Sequence, residues 1–240
     1  MAGKGGDRRR AAPRKPARPL FGPKKPPVRR KTVARPEPVA TVEQPRVFTL
    51  GVVPGATPGK WVSAWRDRML HVELVLVTLA VAEQHEALAG GSVDAALVRL
   101  PLDDSDLHVV RLYDEVPVAI VSTQSHLTAA DELELSDLAG EVIIVPADDV
   151  LAADVPGGLA PSFDPPASTE EAIETVAAGV GVVVAPLSLA RLFARKDVAV
   201  RPLRDAPVST VALAWSSATT NPDVDTFFGI VRGRTPNSSR

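Results

Sequence analysis

Every apolar run long enough to build a core lies after residue 46, and that segregation constrains the chain more than any motif does. Residues 1–46 carry nine of the 23 prolines and only six larger apolar side chains (Leu20, Phe21, Val28, Val33, Val39 and Val42). Proline removes amide donors and blocks helices, and so little apolar surface cannot offset the entropy of ordering. The segment reads as a disordered arm. It holds fourteen Lys and Arg against three acids, a net of +11, which leaves −13 for residues 47–240 out of the overall −2. A nearly neutral chain is therefore a basic arm joined to an acidic body.

The arm's cations cluster at Arg8, Arg9, Arg10, Arg14, Lys15, Arg18, Arg29, Arg30 and Lys31. Such clusters suit phosphate contact through counterion release, which predicts weak, sequence-insensitive nucleic-acid binding. The stretch from Pro13 to Pro19 loosely resembles a minor-groove AT-hook without its Gly-Arg-Pro core. A solubilising tail, or a stretch translated from a start codon set too far upstream, explains the composition equally well. No apolar stretch follows the charges to make a secretory signal, and no run of about 18 apolar residues spans a membrane. A cytoplasmic protein is expected. The sequence has no cysteine, so disulfides, thiolate nucleophiles and zinc ribbons are excluded. The four histidines are scattered without a metal-ligand spacing.

The body alternates strand-like and helix-like segments. Val47–Pro54 reads as a strand, followed by a helix that Thr57 caps with Pro58 at its first position. Strands follow over 72–77 and 93–98, around a helix over 80–89 that ends at Gly90-Gly91, and another strand covers 116–121. The order β-α-β-α-β implies a parallel sheet with covering helices. The second half repeats the logic. Residues 141–146 read as a strand and Ser168-Thr169-Glu170-Glu171 as a capping box. Strands over 182–186, 198–201 and 208–215 come next, with a helix over 188–195 among them and a last helix capped at Asn221-Pro222. The expected fold class is α/β, with two Rossmann-like units and a cleft where strand ends meet helix starts.

Several passages carry a family resemblance: Leu50–Pro54, Gly91–Pro101, His126-Leu127 with Leu138 downstream, Ala178–Pro186, Val211–Trp215 and Phe227-Phe228. In order and spacing they resemble the effector-binding domain of LysR-type transcription regulators, over about residues 47–232. The resemblance implies the type 2 periplasmic-binding fold. It divides the chain into an arm (1–46), lobe I (47–121 plus 207–232), lobe II (122–206) and a flexible tail (233–240). It also implies a homodimer contact through the first helix and the following strand, near Trp61 and Trp65, which otherwise read as packing residues. Regulators of this family carry a winged helix-turn-helix ahead of this domain; this chain shows the basic arm there instead.

A cleft ligand needs polar groups at strand ends and helix starts. Gly55 and Thr57 sit at one such place and Ser168 and Thr169 at another, and the resemblance puts them on opposite lobes. Capping alone also explains Thr57 and Ser168. Arg99, with Pro101 just after it, offers a bidentate partner for an acidic effector, or else a surface ion pair with Asp103 or Asp104. Ser122 and Thr123 follow a strand where the chain crosses between lobes. They either line the hinge or satisfy the crossing backbone. No nucleophile elbow, phosphate loop, dinucleotide fingerprint or paired carboxylates point to an enzyme. No cofactor or metal is expected. The leading expectation is a small-molecule sensing domain acting in transcriptional regulation. The alternatives are a nucleic-acid-associated adaptor that uses the arm, and a solute-binding protein for transport.

Overall fold

The computed structural model describes residues 46–233; the arm and the C-terminal tail lie outside the described residues. Strand β1 (Arg46–Val52) runs parallel to β2 (Val72–Thr78) on one side and to β3 (Ala95–Arg99) on the other. Helix α1 (Gly59–Arg68) and a short helix α2 (Gln84–Ala89) make the two crossovers. Strand β4 (Leu107–Glu115) completes the first sheet only with help from far along the chain. The later strand β8 (Ser209–Ser216) inserts antiparallel between β3 and β4, giving the order β2-β1-β3-β8-β4. The sheet is therefore mixed rather than wholly parallel.

All five residues of β3 are buried, because helices cover both faces of the sheet. Leu97 points into one core with Phe48, Trp65 and Phe227, while Ala96 and Val98 point into the other with Leu88. The first core is built on aromatic contact. Phe48 stacks on Trp65 with ring centroids 4.7 Å apart, and Phe227 lies 5.4 Å from Phe48. Trp65 is fully buried, and its Nε1 donates to the Val72 carbonyl at 3.1 Å. This selects packing over interface for Trp65. Phe227 belongs to α5 (Pro222–Val231), whose amino end follows the sequence expectation: the Asn221 side chain accepts from the Asp223 amide at 2.9 Å, with Pro222 behind it.

Strand β5 (Pro117–Ser122) leaves the first sheet. It pairs antiparallel with β6 (Val183–Pro186) and β7 (Val198–Pro202) in a second sheet of order β6-β5-β7. The chain thus changes sheet at Val116, earlier than the boundary after residue 121. Pro117 explains the position: it cannot donate to a continuing ladder. Helices α3 (Thr169–Ala177) and α4 (Leu187–Leu192) belong to this second half. The strand expected over 141–146 is reduced to single bridges, Val142 to Leu159 and Ile143 to Val182. One flank of it is the long loop after Pro146, so the ladder does not propagate.

The arm also ends one residue earlier than expected. Arg46 opens β1, and its guanidinium grips Asp223 of α5 through two bonds of 3.2 and 3.1 Å. Among the described residues, no helix is long and apolar enough to cross a membrane.

Candidate functional site between the two sheets

The crossing at Val116, the β1–α1 loop and the first turns of α4 enclose a cavity of about 510 Å³. Gly55 and Thr57 come from the loop, Tyr113 to Val116 from the crossing, and Ser188, Arg191 and Leu192 from α4. The volume falls within the range of small-molecule sites, roughly 300–1,000 Å³. Gly55 has φ +84°, and a Cβ there would meet Ser188 Oγ at 2.5 Å and Arg99 Nη2 at 3.0 Å. Only glycine supplies both that backbone and that clearance.

Arg99 lies buried behind this cavity, against the lining residues Gly55, Glu115 and Ser188. Its side chain is 1% exposed and is held from both halves of the protein. Nη1 donates to the Glu115 carboxylate and, at 2.7 Å, to Ser209 Oγ. Nη2 donates to the Pro54 carbonyl at 3.0 Å and to Ser188 Oγ of α4 at 3.1 Å. The Gln84 side chain clasps the Arg99 main chain, donating to its carbonyl at 2.8 Å and accepting from its amide at 3.0 Å. Nε is buried without a partner among the described residues. The surface pairing with Asp103 or Asp104 is thereby excluded; Asp103 instead accepts from the Ser105 amide at 3.1 Å. Nor does Arg99 offer a free charge to a ligand, because Glu115 neutralises it inside the protein.

Thr57 does not cap α1. The helix starts at Gly59 with Pro58 in the cap position, and Trp61 and Val62 donate to the Pro58 carbonyl at 2.9 and 3.0 Å. Thr57 stands one residue too early to cap, so its exposed hydroxyl is left to the cavity. The Tyr113 phenol comes against the Thr57 amide. Burial first, then the Glu115 carboxylate, push its pKa up, with Arg99 opposing, so Tyr113 is a neutral phenol at ordinary pH.

The other expected residues lie elsewhere. Ser168 does cap α3, accepting from the Glu171 amide at 3.2 Å, but Glu171 answers to the Ala167 amide at 2.9 Å, not to that of Ser168. Thr169 is buried and donates to Asp148 at 2.8 Å. Neither borders the cavity. Pro101 lines a separate surface hollow with Leu102 and Arg111. Ser122 and Thr123 sit at the far end of β5, roughly 20 Å from the crossing by strand rise. The Ser122 hydroxyl accepts from the Gln124 amide at 3.3 Å, and Thr123 bonds the Asp197 carbonyl through both its amide and its hydroxyl, at 3.1 and 3.3 Å. They satisfy the turning backbone and do not line the hinge.

Sequence reading missed Gln84, Tyr113, Glu115, Ser188 and Arg191. The strand β4 that carries Tyr113 and Glu115 went unread because a bulge between Arg111 and Tyr113 breaks its alternation. A sharper signal was present: a carboxylate immediately before Val116-Pro117, where the chain must leave one sheet. For Ser188 and Arg191 no local pattern existed.

Comparison with known proteins agrees with this architecture. The chain is 32% identical over 163 residues to the HTH-type transcriptional regulator CatR of Pseudomonas putida, which covers 64% of this chain and 56% of CatR. It is 27% identical over 207 residues to the Hca operon transcriptional activator HcaR of Escherichia coli K12, covering 80% and 69% of the two chains. The chain thus spans little more than half of CatR and about two thirds of HcaR. The effector-binding domain of a BenM variant superposes with a TM-score of 0.65 at 20% identity, covering 79% of this chain and 94% of that one. The family model described as the LysR substrate binding domain matches residues 43–236, and the chain belongs to that family.

Proposed function

We propose that the body binds a small effector carrying an anionic group in the cleft between the sheets, and that the chain acts in transcriptional regulation. One observation carries this reading. The cavity lies at the chain crossing, and two residues that line it, Glu115 and Ser188, are bridged by the buried Arg99 side chain, which also holds the Pro54 carbonyl. A ligand seated there touches the parts whose relative position it would change. The role is binding and not catalysis, and the protein works in the cytoplasm. Support also comes from the domain of the BenM variant that shares this fold, which is an effector-binding domain.

Thermal shift tests the proposal. A ligand that binds only the folded state at a hundred times its Kd stabilises by about 2.7 kcal/mol, so the midpoint climbs with concentration. Thr57→Val should weaken that climb and leave the free protein unchanged. If no compound from a broad set of small acids and amino acids shifts the wild type, effector sensing falls and the adaptor reading replaces it.

Two partners belong to the same proposal. A second copy packs along α1 and the edge strand β2, where Leu70, Leu76 and Val77 are exposed. The arm contacts duplex DNA through its basic clusters, with affinity falling steeply as salt rises.

A further inference from the structure

Resting on that reading of the cleft, we infer that its ligand is a zwitterion, an amino acid with an apolar side chain, and not a simple organic acid. The argument is one of charge. Arg99 and Glu115 form a buried pair whose charges cancel. Two further charged groups line the cavity, of opposite sign and on different elements: Asp114 at the end of β4 and Arg191 in the last turn of α4. Asp114 is half exposed and accepts from Thr210 Oγ1 at 2.5 Å, with Arg111 a further 3.7 Å contact. Arg191 is exposed and makes no ion pair among the described residues.

A dicarboxylate drawn to Arg191 brings its second carboxylate towards Asp114, and removing like charges from water together is costly. A diamine drawn to Asp114 meets the mirror problem at Arg191. A molecule with one ammonium and one carboxylate matches both ends. Its body must be apolar, because Ala56, Val116, Leu187 and Leu192 line the same space. Val116 is 49% and Leu192 54% exposed, so two large apolar side chains wait uncovered in a single hollow. Ammonium donors then go to Asp114 and the Thr57 hydroxyl, and the carboxylate goes to Arg191 and Ser188.

Calorimetric titration and thermal shift of the full chain test this with matched probes. L-leucine and L-phenylalanine are compared with their deaminated acids (4-methylpentanoate and 3-phenylpropionate), with their decarboxylated amines, and with glutarate. At least one amino acid should bind about tenfold or more tighter than either truncated analogue, a difference of about 1.4 kcal/mol. Asp114→Asn should erase the preference over the acid, and Arg191→Gln the preference over the amine. Both side chains are exposed, so neither variant should unfold the protein. If a deaminated acid or glutarate binds better than every apolar amino acid, the zwitterion is overturned while effector binding in the cleft stands. If no probe binds, the apolar zwitterion is overturned, and effector binding in the cleft is decided separately by the broad thermal-shift set.

Discussion

The two halves of the body are held together by different chemistry. The first half buries rings: Phe48, Trp65 and Phe227 meet between α1, α5 and a five-stranded sheet. The second half has three short strands and a largely aliphatic core of residues such as Leu127, Leu138, Val182 and Leu203. Polar staples occur in both halves, as at Arg46–Asp223 in the first, and in the second they stand beside an aliphatic core. Arg201 donates to the Ala130 and Thr128 carbonyls at 2.6 and 2.8 Å. Asp205 accepts from the Leu135 amide at 2.8 Å, and Asp149 from the amides of Leu151 and Ala152 at 3.0 and 2.9 Å. Rings bury large areas cooperatively, whereas staples near water add modest amounts each. The ring-built half is therefore expected to be the frame and the aliphatic half the part that opens first. Hydrogen exchange should show lower opening free energies in β5–β7 than in β1 and β3.

The largest effect should come from the ring cluster. Trp65→Ala should cost about 4 kcal/mol in urea unfolding and Leu138→Ala about 3 kcal/mol. A larger loss at Leu138 would invert the contrast. The seam between the halves comes next. Glu115→Ala leaves Arg99 buried without its partner and should cost about 3 kcal/mol, while Arg99→Met combined with Glu115→Leu should recover most of it. Failure of the double variant to recover would mean that the contacts to Ser209, Pro54 and Ser188 outweigh the ion pair.

Smaller effects separate the two helix starts. Ser168→Ala removes a cap and should cost about 1 kcal/mol, read as a shift in the urea midpoint. Thr57→Val removes none and should stay within about 0.5 kcal/mol. The smallest effect is a titration. Tyr113 is the sole tyrosine in the sequence, so phenolate absorbance reports it alone. Its raised pKa means the folded state holds the proton more tightly than the unfolded one. That contribution to stability is complete below the unfolded value near 10 and is lost as pH rises through the folded one. Tyr113→Phe should flatten this alkaline decline. A phenol that titrates at its ordinary value in the native protein would place Tyr113 in open solvent.

Local patterns settled much of this protein. The proline and charge of the first residues set the arm apart from the body in the sequence, and Arg46, assigned to the arm, opens β1. Runs such as Ala95–Val98 and Val183–Ala185, and the caps at Ser168 and Asn221, were legible because periodicity and capping involve only near neighbours. Gly55 and Thr57 were legible as a strand-to-helix loop. The pairing of strands was another matter. Only the tertiary structure decided that β8 enters the first sheet between β3 and β4, that residues 141–146 make single bridges, and that the crossing falls at Val116. Arg99 shows the reason most plainly. Its position at the end of a buried strand was readable, but its partners Glu115, Ser188 and Ser209 lie 16, 89 and 110 residues away. No spacing rule spans such separations; packing alone turned an apparent ligand contact into a neutralised pair holding the two halves together.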